Sequence, residues 1–84
     1  MDLKTRVRTI KEIKEFISNN KGEIISIQVE KCGITVKKDV IIVKVKFLSP
    51  IFDITELEAF QTKLGANIQI QPANKKTHKI YFYF

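Results

Sequence analysis

Two tyrosines, Tyr81 and Tyr83, stand two residues apart in an alternating apolar run, with Lys75, Lys76 and Lys79 just ahead of them. Tyrosine rings offer flat faces on which unpaired bases stack, worth about 1 to 3 kcal/mol per base, while lysines neutralise phosphates and release counterions. The chemistry such a pairing supports is non-covalent capture of single-stranded RNA or DNA. The competing explanation is that the rings cover the second face of a sheet, as strand aromatics do. Lysines in a hairpin loop or on a strand edge also discourage sheet-to-sheet aggregation. RNA-recognition modules place aromatics on central strands in a similar general way, but their octapeptide of glycine, aromatic and basic residues is absent here.

The remaining reactive side chains suggest no reaction. His78 is the sole histidine, and the sequence sets no acid, nucleophile or further metal ligand at a useful spacing from it; we expect a surface residue in the same basic cluster as Lys75, Lys76 and Lys79. Cys32 is the sole cysteine, which excludes an internal disulfide or a Cys-rich zinc site and fits a reducing compartment. Asp53 and Glu56 have the spacing of a helix cap, and Glu56 and Glu58 cannot share a helix face. The glycines stand alone at 22, 33 and 65, so there is no phosphate-binding loop. We therefore expect a non-enzymatic domain without cofactor or metal.

The length permits one domain, 1–84, with one core. Thirteen lysines and two arginines against nine acids give a net charge of +6, which favours encounter with polyanions but says nothing of the fold. Isoleucine is the commonest apolar residue, and a lysine and isoleucine bias also arises from base composition or a hot habitat, which weakens the charge argument. The N-terminal residues lack the apolar core of a signal peptide, and the longest apolar run, Val40 to Val43, is far below the ~20 residues that cross a bilayer. The expected location is the cytoplasm, with no membrane partner.

Six elements must position these side chains. Val7, Ile10, Ile13, Phe16 and Ile17 draw one helical stripe, predicting a helix over 6–19 that starts at Thr5 or at a Thr9/Glu12 capping box and stops at Asn19 to Gly22. From Glu23 the period becomes two, with Ile25, Ile27 and Val29 expected inward. The next turn falls either at Cys32-Gly33 or at Lys38-Asp39, with Ile34 to Val36 extended and Gly33 a bulge in the second case. Ile41, Val43, Val45 and Phe47 alternate with Val40, Ile42, Lys44 and Lys46 in a strand closed by Ser49-Pro50. A helix over 54–64 follows, capped by Asp53, with Ile54, Leu57, Phe60 and Leu64 inward and Gly65 as its stop. Ile68 and Ile70 alternate with Gln69 and Gln71 before a loop at 73–76, and 77–84 form the last strand.

Helix-strand-strand-helix-strand-strand with half-apolar elements implies an α+β two-layer sandwich, αββαββ, with both helices on one face of a four-stranded antiparallel sheet. The ferredoxin-like βαββαβ order becomes this one when its first strand moves to the C-terminus. That analogy puts the last strand between those at 40–48 and 67–71, with Tyr81 and Tyr83 on the open face beside Ile42, Lys44 and Lys46. Nucleic-acid binding through Tyr81, Tyr83, Lys44, Lys46, Lys75, Lys76 and Lys79 is the expectation. Its rival is a protein-interaction or homodimerisation module using the same patch, such as a small accessory or inhibitor protein of viral or plasmid origin.

Overall fold

Asp2 sets the start of the first helix, α1 (Leu3–Asn19). Its backbone is extended, and its Oδ1 accepts the Thr5 backbone N–H at 2.7 Å, satisfying a donor that the first turn leaves without an intrahelical acceptor. The cap thus lies about one turn ahead of Thr5 and about two turns ahead of Thr9, the residues the pattern suggested. Thr9 instead is buried in line with Ile13 and Ile17. Val7, expected in the stripe, is 60% exposed, as is Leu3 one turn earlier at 73%. The inward stripe is held by Ile13 and Ile17, flanked by Ile10 and Phe16.

At its other end the Asn20 N–H donates to the Phe16 and Ile17 carbonyls, both at 3.2 Å, and its Nδ2 donates to Phe16 O at 2.8 Å. The reversal therefore falls on Lys21, whose φ is +62°. Sequence reasoning gives that conformation to asparagine or glycine; here Gly22, one residue later, is already the first residue of a strand opposite Phe47.

The structure is a computed structural model and describes residues 2–33, 38–47 and 54–84, without the side chains of Cys32, Phe47 and Ile54. The expectations for Ile34 to Val36, Ser49-Pro50 and the Asp53 cap, and for the packing of Phe47 and Ile54, lie outside the described residues. Four strands, β1 (Gly22–Cys32), β2 (Lys38–Phe47), β3 (Asn67–Pro72) and β4 (Thr77–Tyr83), form one sheet in the order β1-β2-β4-β3, with every neighbouring pair antiparallel. Lys38 and Asp39 are not a turn: they open β2 opposite Cys32 and Lys31. Cys32 is likewise a strand residue, and Gly33, at φ +133°, follows the last pair.

β1 carries the main departure from simple alternation. Ile24 pairs with Val45 and Ser26 with Lys44, leaving Ile25 as an extra residue between them. Because side chains alternate with a period of two, one extra residue exchanges the faces of everything beyond it. Ile24 therefore joins Ile27 and Val29 against the core, whereas Ile25, expected inward, is 52% exposed.

The second helix, α2 (Ile54–Leu64), has the expected bounds. Gly65 takes φ +66°, its N–H donates to Thr62 O at 3.3 Å and to Gln61 O at 3.0 Å, and the Ala66 N–H reaches Gln61 O at 3.3 Å. This paired closure ends the helix without a Cβ in the left-handed position. Both helices pack on one sheet face: Ile13, Ile17 and Phe60 meet Ile41, Val43, Val45, Ile80 and Phe82 in one cluster. Phe60 joins the layers, stacking on Phe16 with centroids 4.1 Å apart and meeting Phe82 edge-on at 6.3 Å. Among the described residues no helix is long and apolar enough to cross a membrane.

Candidate nucleic-acid interface

The helix-facing rows of the sheet fix what must stand on the other side. With Ile41, Val43, Val45, Ile80 and Phe82 inward, alternation sends Val40, Ile42, Lys44 and Lys46 of β2 and Thr77, Lys79, Tyr81 and Tyr83 of β4 to the open face. Register then orders them in rows across the four strands. Glu30, Val40, Tyr83 and Asn67 form one row, Gln28, Ile42, Tyr81 and Gln69 the next, and Ser26, Lys44, Lys79 and Gln71 the third. Glu23, Lys46 and Thr77 end the face beside the β3-β4 loop.

The two rings lie nearly parallel, at 14°, with centroids 6.1 Å apart, so they present adjacent surfaces along β4. Both are half-buried, which limits their motion. Next to them Lys44 lies directly opposite Lys79. Like charges in a facing cross-strand pair repel and destabilise the sheet, whereas an anion between them converts that repulsion into two attractions. Lys46 is exposed two residues further along β2, facing Glu23 on the edge strand.

Lys75 and Lys76 are held near the same end by the hairpin connecting β3 and β4. Asn74 Oδ1 accepts the backbone N–H groups of Lys76 at 3.0 Å and Thr77 at 2.9 Å, and the Ala73 N–H donates to Thr77 O at 2.9 Å. A side chain that mimics a backbone turn fixes the loop while leaving both lysine side chains exposed. His78 separates from its neighbours in sequence: it is half-buried and pairs with Val45 and Pro72, on the helix-facing side of the sheet. The alternation in Thr77 to Phe84 contains that information, because His78 shares the parity of Ile80 and Phe82.

The sequence did not reveal a depression over β2. It has a volume of about 510 Å³ and is lined by Ile42 and Lys44 of β2, Tyr81 and Lys79 of β4, and Ser26, Gln28 and Glu30 of β1. Its β1 side depends on the Ile25 bulge and the register it imposes, so no local pattern announces it. Another cavity, about 330 Å³, lies between the helices against Phe16, Phe60 and Ala59, and among the described residues Lys63 is the single cation in its lining. Comparison of the chain with family models, with curated proteins and with solved structures returned no match.

Proposed function

We propose that this is a small non-enzymatic binding domain that captures single-stranded nucleic acid on the open face of its sheet. The observation that carries the proposal is the placement of the stacked Tyr81 and Tyr83 rings beside the facing cations Lys44 and Lys79. Rings supply sequence-tolerant stacking, and Lys44, Lys46, Lys75, Lys76 and Lys79 supply phosphate contacts at one end of the same face. The net charge of +6 adds long-range attraction. The strand order β1-β2-β4-β3, antiparallel throughout, supports a circularly permuted ferredoxin-like topology for the single domain. A cytoplasmic location accords with the lone cysteine.

Ile42, alongside the two tyrosines, also gives the face an apolar centre, which favours a homodimer or a larger protein partner as the second reading. Titration of labelled single-stranded and duplex RNA and DNA by fluorescence anisotropy at two salt concentrations, with sizing of the protein alone, separates the two. Micromolar binding to single strands that weakens with salt and is lost in a folded Lys44→Ala/Lys46→Ala variant is the expected result. Absence of binding together with a dimer-sized species would overturn it and assign the face to protein contact.

A further inference from the structure

Resting on that reading, we infer that the depression over Ile42 receives one base of the bound strand and favours one bearing an exocyclic amino group, such as cytosine or adenine, over uracil or thymine. Its parts have different chemistries and occupy different sides. Ile42 gives an apolar floor, Tyr81 a ring beside it, and Lys44 with Lys79 a paired positive charge at one end. Across from them Gln28 and Glu30 bring a carboxamide and a carboxylate.

The carboxylate decides the class of base. A negative charge beside a phosphate-binding face opposes a polyanion, and Glu30 has an apolar register partner on β2, Val40, whereas Glu23 faces Lys46. An ionised carboxylate accepts hydrogen bonds and donates none. It therefore complements the amino group of cytosine or adenine, as acidic side chains do when they read cytosine N4, and opposes the carbonyl oxygen that uracil and thymine carry at the equivalent edge. The Gln28 carboxamide supplies a donor for the ring nitrogen beside that amino group. The strand's phosphate lies between Lys44 and Lys79.

The test is competition by oligo-C, oligo-A and oligo-U of equal length against a labelled mixed-sequence strand, for the native chain and for Glu30→Gln. The native chain is expected to prefer oligo-C and oligo-A over oligo-U by roughly fivefold or more, the lower bound for one good base contact. Glu30→Gln keeps the size of the side chain and removes a negative charge, so affinity for all three rises while the preference collapses toward unity. A purely electrostatic role for Glu30 would raise all three affinities alike and preserve their ratios. Equal affinities in the native chain, or ratios unchanged in Glu30→Gln, would overturn the inference and leave single-strand capture standing. Lack of binding to every oligomer would overturn both.

Discussion

Replacing Lys79 by glutamine should make the fold more stable and the complex weaker, and the two effects have calculable sizes. Lys79 faces Lys44 across β2 and β4, where facing Cβ atoms stand about 4.5 to 5.5 Å apart. With the ammonium groups splayed to roughly 7 Å in high-dielectric solvent, their repulsion is about 0.6 kcal/mol. At physiological salt the Debye length is about 8 Å, which cuts this to a few tenths of a kcal/mol. Urea unfolding of Lys79→Gln at low salt should therefore show a midpoint higher by a few tenths of a molar, since the urea slope of a small domain is about 1 kcal/mol/M, and the gain should vanish at high salt. Binding runs the other way. Five lysines on phosphates give a log-log salt slope of about −3.5 for a single strand, and losing one contact reduces its magnitude by about 0.7. A variant that is destabilised at low salt, or that binds with an unchanged salt slope, would refute the placement of Lys79 opposite Lys44 or its role at the phosphate.

Four further outcomes follow from the fold. Lys21→Gly should stabilise by about 1 kcal/mol, because Lys21 holds φ +62° and only glycine occupies that region without a Cβ penalty; chemical denaturation reads it. Ile17→Ala should cost about 2 to 5 kcal/mol, enough to unfold much of a domain this small in thermal melts, since Ile17 is fully buried between helix and sheet. Deleting Ile25 should leave the sheet paired as before, with Ile24 and Ser26 still opposite Val45 and Lys44, whereas deleting Gln28 should disrupt it; backbone amide NMR of the two variants makes the comparison. The Thr5 backbone N–H holds the Asp2 carboxyl below its usual value of 3.8. The stabilisation from that depressed pKa is present above the unfolded value and disappears as pH falls through the folded one, so acid titration of helicity should lose this component in Asp2→Ala.

What the sequence made legible was set by how far each signal acts. The period of two in β2 and β4 stays in phase over the whole strand, so Ile41, Val43, Val45, Ile80 and Phe82 were identified as core, and Tyr81 and Tyr83 as their opposite face. α2 carried both an apolar stripe and a glycine stop, and its bounds were read correctly. Each misplaced detail is decided by a local choice of one or two residues. Asp2, not Thr5 or Thr9, is the cap, its carboxylate accepting the Thr5 N–H, and Thr9 lies inside the helix in line with Ile13 and Ile17. Asn20 closed the last turn of α1 so that Lys21, not a glycine, reverses the chain. Ile25 has the residue type of a core position and the register of a bulge; only its partners on β2 distinguish the two. The depression over Ile42 inherits that blindness, since its far side belongs to the bulged strand.

The position of β4 also bears on the order in which the molecule assembles. β3 belongs to the sheet only through β4, and β4 reaches β2 only by pairing residues far apart in the chain, such as Val40 with Tyr83. The β1-β2 hairpin pairs residues near in sequence, Cys32 with Lys38, and is expected to form early, whereas docking β4 must first overcome the entropy of closing a long loop. Until it docks, β2 presents an unpaired apolar edge and Ile80 and Phe82 remain in water. Folding is therefore expected to proceed through a late step in which the aromatic strand inserts between two partners, and the binding face comes into existence with that step.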